Sequence, residues 1–400
     1  MNNYKGSFHF TGGIMNQAAF FAPFIRGSII EKTGQRHLVR LLPAIPAASG
    51  LAELEIKIEA SKEDESAVAT AISKAIGGQD SIPHLVHLTV GTEKYTYAIA
   101  QSTTSIESIA AGKAPEPVYE VAASRANVMK DKIVVVTGGA QGFGAEIVRG
   151  LVAGGALVFV ADLNLEGATQ FAQELNQEYQ QTVAFPVAVN VADEKSVMAM
   201  VEEINLTAGG LDLCVSNAGI LRASSILQQD MDSFRLVTDI NYTAFAIVTK
   251  HCALTMKRQH ATAPTLLTDI IQINSKSGLE GSNKNGSYAG GKFGSIGLVQ
   301  SFALELVEYG IKVNAVCPGN FFDGPLWSDP EKGLFVQYLR TGKVPGATSI
   351  ADVKKFYEAK VPMNRGCTGE DVIRAVYYLV EQAYETGQAL PVTGGQVMLN

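Results

Sequence analysis

Cysteine is scarce in this 400-residue chain: Cys214, Cys252, Cys317 and Cys367 show no short paired spacing. That argues against a disulfide scaffold and suits buried free thiols in a reducing compartment. Histidine is scarce too, with six scattered residues, and no His/Cys/Asp cluster points to a metal. Basic charge is in short supply: the formal net charge is −7, which argues against a nucleic-acid footprint. An anionic substrate fits that balance only where the pocket is locally basic. Uninterrupted apolar runs are also missing. The stretch from Ile14 to Ile30 is broken by Asn16, Gln17, Pro23 and Arg26, so it is not expected to span a bilayer. The N-terminus has no charged start followed by a clean apolar core, so no secretory leader is expected and the location is read as cytoplasmic.

What the chain does have is ample apolar content, 46%, and a length beyond one ordinary domain. Its most informative feature is Tyr288-Ala-Gly-Gly-Lys292, with Ser275 thirteen residues upstream. A Tyr and a Lys four apart share one helix face. Free tyrosine ionises near ~10, and bringing it to about 7 takes roughly 4 kcal/mol of differential stabilisation. A neighbouring ammonium favours the phenolate, and a second cation such as an oxidised nicotinamide ring would add to it. A serine hydroxyl aimed at the same point would hold a substrate oxygen while the phenol moves a proton on and off it.

A glycine-rich turn raises the weight of that reading. Asp131–Val136 reads as a buried strand running into Thr137-Gly-Gly-Ala-Gln-Gly-Phe-Gly144, and Ala145–Ala153 reads as a helix. Strand, glycine turn and helix form the context of a dinucleotide site. Gly138 permits the tight turn, Gly142 the backbone approach to the pyrophosphate, and Gly144 close helix–strand packing. Gln141 and Phe143 lie in the same turn. The helix N-terminus offers free N–H groups and a positive dipole end to the phosphates. The next strand, Ala156–Ala161, ends in Asp162, followed by Leu163. An acid there accepts hydrogen bonds from the adenosine ribose and repels a 2′-phosphate. No Arg or Lys lies at 138–144 or 163–164 to offset it, so NAD is expected over NADP.

Together, Thr137–Gly144, Asn217-Ala218-Gly219, Asn241, Ser275, Tyr288/Lys292 and Pro318-Gly319 resemble the short-chain dehydrogenase/reductase pattern over about residues 128 to 400. The resemblance implies an α/β fold, a doubly wound parallel (Rossmann) sheet, assembled as a homodimer or homotetramer. It implies Tyr288 as general acid/base, Lys292 on the nicotinamide ribose, Ser275 orienting the substrate oxygen, and Asn241 helping to hold a relay water. Asn217, Ala218 and Gly219 would close the cofactor cleft, Asn190 and Val191 would flank the adenine, and Pro318 and Gly319 would meet the nicotinamide end. Two departures stand out: no Thr follows Pro318-Gly319 to meet the carboxamide, and Lys276 sits where a small residue is usual.

Ile271-Gln-Ile-Asn-Ser-Lys-Ser-Gly278, Lys360–Cys367 and Val392–Met398 are similar to a subgroup, the sorbitol-6-phosphate 2-dehydrogenases. That implies a sugar or polyol phosphate substrate, such as sorbitol 6-phosphate or fructose 6-phosphate. A phosphate needs cations or oriented N–H groups. Lys276, Lys284, Arg222 and Arg365 are the candidates, Lys276 first. Two other readings stay open: an NAD-linked dehydrogenase of a non-phosphorylated sugar or other secondary alcohol, and a cofactor-loaded binding or assembly protein.

Residues 1–110 read as a small additional α+β domain and 111–127 as a linker, with the NAD-binding domain at 128–400. Strands are expected at His37–Leu42, Leu51–Glu59, His84–Val90 and Lys94–Ile99, and a helix at Glu63–Ile76. Gly91-Thr92 signals a tight hairpin, and Phe8–Gly13 an edge strand. No chemistry is legible there. Oligomer contacts, shielding of the active-site mouth and partner binding are all open roles. Trp327 through Asp352 reads as an insertion, which the resemblance implies is a mobile lid over the substrate, with Phe322, Trp327 and Tyr338 either lining it or packing helices.

Overall fold

The computed structural model describes residues 12–46, 50–59, 64–115, 127–331, 333–340, 342 and 344–398. The chain divides into two compact units. The first comprises Met1–Tyr119, Val201–Leu211 and Thr255–Leu266, and the second the remainder.

The first unit opens with α1 (Gly12–Thr33), then β1 (Leu38–Leu41), β2 (Glu53–Ile58), α2 (Glu65–Gly77), β3 (Leu85–Val90), β4 (Glu93–Ala100) and α3 (Thr103–Ala110). The sheet order is β1-β4-β3-β2. β2 and β3 are parallel, joined through α2, and the other pairs are antiparallel. Asp64 starts α2 by accepting the Ala67 N–H, and Gly91 takes φ +58 in the β3–β4 hairpin.

The interrupted apolar stretch is a helix in its own right, α1, with Pro23 inside it. Ala18, Phe21, Ala22, Ile25 and Ile29 recur at three- and four-residue spacing and are buried against α2 and the sheet. That burial outweighs the proline's lost hydrogen bond. Arg26 is fully buried and donates from Nε to the His37 carbonyl at 3.0 Å. Of the expected edge strand at 8–13, residues 8–11 lie outside the described residues, and Gly12 and Gly13 open α1 instead. Most of the linker at 111–127 also lies outside them.

The second unit contains β5 (Ile133–Thr137), α4 (Gly142–Ala153), β6 (Leu157–Asp162), α5 (Leu165–Glu178), β7 (Ala184–Ala188), α6 (Glu194–Ala208), β8 (Leu213–Ser216), α7 (Met231–Thr238), α8 (Ala244–Thr262) and β9 (Thr268–Ile273). It continues with α9 (Gly286–Leu306), β10 (Ile311–Pro318), α10 (Pro325–Ser328), α11 (Leu334–Arg340), α12 (Ile350–Glu358), α13 (Gly369–Glu381) and β11 (Ala389–Val392). α6 and α8 begin here and end in the first unit. The sheet order is β11-β10-β9-β8-β5-β6-β7, parallel throughout. The expected doubly wound Rossmann fold with extra N-terminal structure is present.

β5 is buried at every position, as an apolar β-branched run between two neighbours must be. It pairs with β6 on one side and β8 on the other, so the strand order reverses there. Ligands of open α/β sheets bind outside the strand ends at such a point. Phe322, Trp327 and Phe335 form a small core of their own with Val344, Val353 and Val361. The Phe322 and Trp327 rings meet edge to face at 5.0 Å, and Tyr338 stacks on Tyr357. Of the two readings of these aromatics, packing between short helices is the one found.

Candidate active site

β9, the turn after it and α9 bring Ser275, Tyr288 and Lys292 to one place. Ser275 follows the end of β9 in extended conformation and starts a single 3-10 turn, its Oγ accepting the Ser277 N–H at 3.1 Å. The Ser275 hydroxyl lies close enough to the Tyr288 phenol to lower its pKa. One helical turn on, the Lys292 Nζ lies 5.7 Å from the centre of the Tyr288 ring. It donates to the Ile273 carbonyl at 2.9 Å.

Burial decides the electrostatics. It lowers Lys292 to about 8, with a weaker upward pull from the Cys317 thiol. It raises the Tyr288 phenol, which the Ser275 hydroxyl lowers in part. At the phenol, burial outweighs the Ser275 hydroxyl, and Lys292 also donates to the Ile273 carbonyl. The Cys317 thiol, beside this group, is pushed up to about 12 by burial.

Asn241 lies in a single π-helical turn between α7 and α8 and is buried. Its amide is fully engaged with Ile220, accepting the N–H at 3.1 Å and donating to the carbonyl at 2.7 Å. Beside it a polar cavity of about 10 Å³ is lined by Ser216, Asn241, Gln272 and Lys292, with Val191 and Ala218 among its other walls. That volume suits one water. Asn241 thus walls the water-sized space while its side chain holds the neighbouring loop. An added Cβ at Gly219 would come within 2.7 Å of the Asn241 Oδ1, so a bare backbone is needed there.

The glycine turn follows β5. Gly138 takes φ +62, and an added Cβ would meet the Ala218 Cα at 3.0 Å. A Cβ on Gly144 would fall 2.0 Å from the Gly138 carbonyl oxygen. Gly142 takes φ +57 and stands in open space, with Pro325 the nearest neighbour at 4.0 Å. Gln141 is the N-cap of α4 but makes no side-chain cap bond, and the first turn carries no acid. Asp162, at the end of β6, accepts from the Ala140 N–H at 3.1 Å and the Asn164 N–H at 2.9 Å. Leu163 beside it is exposed. Asn217 clamps the turn, its Nδ2 donating to the Thr137 and Gly138 carbonyls, both at 3.0 Å. Asn190 closes a local turn by accepting the Ala192 N–H. Pro318 ends β10, and the Gly319 N–H donates to Val392 at 2.9 Å. An uncapped helix start, an open glycine and a strand-end carboxylate form the cradle a dinucleotide requires.

Three residues with evident work were not singled out in the sequence. Asn274 binds the Ser275 N–H through Oδ1 and the Lys292 carbonyl through Nδ2, tying the serine turn to α9. Thr137 Oγ1 accepts from the Asn217 and Ala218 N–H groups. Phe321 stacks on Phe143 of the glycine turn at 4.3 Å, beyond Pro318-Gly319 where the usual Thr is missing. Adjacency to Ser275 was the available signal for Asn274. The Phe143–Phe321 stack had none, since its partners are remote in sequence.

The four candidate phosphate cations separate. Arg365 forms a two-point ion pair with Asp371, the closer contact 2.6 Å, and that carboxylate also caps α13. Its guanidinium is therefore paired with a structural acid. Lys276 lies 3.5 Å from Glu280. Arg222 and Lys284 are exposed.

Comparison with known proteins agrees with this geometry. A short chain dehydrogenase family model matches residues 132–327. Sorbitol-6-phosphate 2-dehydrogenase of Escherichia coli is 35% identical over 271 residues, covering 67% of this chain and 99% of the relative. The chain belongs to the short-chain dehydrogenase family. The crystal structure of sorbitol-6-phosphate 2-dehydrogenase from Erwinia amylovora aligns with a TM-score of 0.61 at 36% identity, over 67% of this chain and all of that one. An actinorhodin polyketide ketoreductase solved with NADPH aligns with a TM-score of 0.57 at 27% identity, over 69% of this chain and 99% of that one. This short-chain dehydrogenase is accordingly an oxidoreductase that uses a nicotinamide cofactor on a small-molecule substrate. Among the described residues no helix is long and apolar enough to cross a membrane.

Proposed function

We propose that this short-chain dehydrogenase interconverts a polyol phosphate and its ketose phosphate with NAD, sorbitol 6-phosphate and fructose 6-phosphate being the pair to test first. The observation that carries the reading is the convergence of Ser275 on the Tyr288 phenol with Lys292 one turn behind it. Ser275 holds the substrate oxygen beside the phenol. Tyr288, held protonated by burial, gives its proton to that oxygen in the reductive direction; in the oxidative direction it first loses that proton and, as phenolate, takes the one on the alcohol. Lys292 carries charge beside the phenol and opens on the water-sized cavity, which offers the proton a way out. The bound nicotinamide supplies or accepts the hydride. Gly138, Gly142, Gly144, Asn217 and the α4 N-terminus would hold its phosphates and ribose.

NAD is favoured because an acid, Asp162, ends β6 with no basic residue at 163–164 to welcome a 2′-phosphate. The phosphorylated substrate is favoured by the likeness to two sorbitol-6-phosphate 2-dehydrogenases across nearly their whole length. A cytoplasmic setting suits the four free, buried cysteines. Exposed Phe293 and Leu304 on α9 suit a homodimer or homotetramer.

The test is reduction of NAD and of NADP across hexitol 6-phosphates, free hexitols and simple 2-alcohols. The highest kcat/KM is expected with a hexitol 6-phosphate and NAD. Equal use of free hexitols would replace the substrate assignment. Tight NADH binding without turnover of any alcohol would replace the enzyme by a binding platform.

A further inference from the structure

We propose that Arg222, Lys284 and the N-terminal turn of α9 form a subsite for the substrate's terminal phosphate monoester. The proposal rests on the polyol phosphate reading and says where its anion sits.

Chain pairing is the first observation. An isolated parallel bridge joins Ser224 to Asn285. Bridged chains lie roughly 5 Å apart. Arg222, two residues before Ser224, and Lys284, one residue before Asn285, therefore leave from neighbouring points at the same edge of the site. The second observation is charge. Of the four cations near the cleft, Arg365 is matched by Asp371 and Lys276 by Glu280. Among the described residues neither Arg222 nor Lys284 forms an ion pair. Lys284 is also held at φ +55, a left-handed conformation uncommon for a lysine.

The third observation is an unmet polar group. Asn285 is the N-cap of the 21-residue helix α9, the residue type that ordinarily caps. It makes no side-chain cap bond, and although it is 8% exposed its Oδ1 has no hydrogen-bond partner. The first turn of α9 therefore keeps its N–H groups for another acceptor, at the positive end of the helix dipole. The Asn285 Oδ1 is left to accept from a substrate hydroxyl next to the phosphate.

Placement completes the case. Tyr288 follows Asn285 by three residues, so the anion would lie about one helical turn, ~5 Å along the axis, from the reacting oxygen. A six-carbon chain oxidised near one end and phosphorylated at the other bridges such a gap. Arg222 offers the planar two-point grip that suits a phosphate, and Lys284 a point charge.

The test uses the full chain with Arg222→Gln, Lys284→Asn and the double variant. Asparagine tolerates the left-handed backbone, so the fold at residue 284 is preserved. For each, kcat/KM is measured on a hexitol 6-phosphate and on the free hexitol. Calorimetry then measures hexitol 6-phosphate binding to the NADH-loaded protein. Each single change is expected to lower the phosphate-over-free ratio of kcat/KM roughly tenfold, the loss of one charge-assisted contact. The double variant should lose calorimetric binding of the ester while NADH titration shows the cofactor still bound. A wild type that prefers the ester, with a double variant that keeps the preference and the binding heat, overturns the subsite alone. A wild type with no preference for the ester overturns the polyol phosphate reading and the subsite with it.

Discussion

Tyr97 of the four-stranded sheet and Tyr288 of the seven-stranded unit both carry enclosed phenols, and enclosure raises the pKa of both. Their surroundings differ. The Tyr97 hydroxyl donates at 2.8 Å to the Ala18 main-chain carbonyl, a partner that cannot exchange a proton. The Tyr288 phenol meets the Ser275 hydroxyl, which can both give and accept, and lies beside an ammonium. The contrast extends to the neighbours of each. In the first unit Arg26 is bonded to His37, Tyr95 to Gln17 and His87 to Thr96. In the second, burial presses on Tyr288, Lys292 and Cys317 at a single point. Buried polar groups that satisfy one another hold a fold, whereas converging titratable groups with shifted pKa values mark a site where protons move.

The sharpest way to break the comparison is to remove both hydroxyls in turn. Tyr288→Phe is expected to cut turnover by roughly 10²–10⁴-fold, the scale of lost general acid/base catalysis. NADH binding, followed by fluorescence titration, should persist. Turnover near the wild-type rate would end the assignment.

Lys292→Met asks whether the site stores strain. The folded pKa of about 8 lies below the ordinary 10.5, so the folded state resists the charged form. Below pH 8 the lysine is charged in both states and the folded protein carries the full penalty, on the order of 3 kcal/mol. Between pH 8 and 10.5 the folded state sheds its proton first and the penalty fades. The inactive Lys292→Met protein is therefore expected to unfold at higher urea than wild type at pH 7. Losing the Ile273 bond trims the gain by about 1 kcal/mol. The gap should close toward pH 10.5, and a gap that widens with pH would overturn the account.

The smallest effect belongs to Tyr97→Phe. Losing the hydroxyl bond while leaving the Ala18 carbonyl buried should cost about 1–3 kcal/mol of stability, read from the urea midpoint. kcat on the best alcohol should stay within about twofold, well under 1 kcal/mol of barrier. A large loss of kcat would give the first unit a part in the chemistry.

Much of the second unit was legible in the sequence. β5 is an unbroken apolar run, the glycine turn follows at once, and Ser275, Tyr288 and Lys292 have the order their chemistry needs. Other parts were not. α1 was read only as a stretch too broken to cross a bilayer, because Pro23 and Arg26 argue locally against a buried helix. Its apolar face at 18, 21, 22, 25 and 29 was the available signal. The ion pair of Arg365 depends on where α13 begins, and the π-turn that seats Asn241 has no marker in residue type. The Ser224–Asn285 bridge joins positions remote in sequence.

By itself the sequence determined the first strand, turn and helix of the nucleotide-binding unit and the strand after them, the glycines that only a bare backbone can satisfy, and the kind of proton chemistry on offer. These follow from short-range physics: apolar periodicity, the conformational freedom of glycine, and four-residue helical spacing. Only the tertiary structure decided which cations are ion-paired and which way burial drives Tyr288. Pairing and desolvation depend on which distant atoms share a space, and local spacing does not encode that.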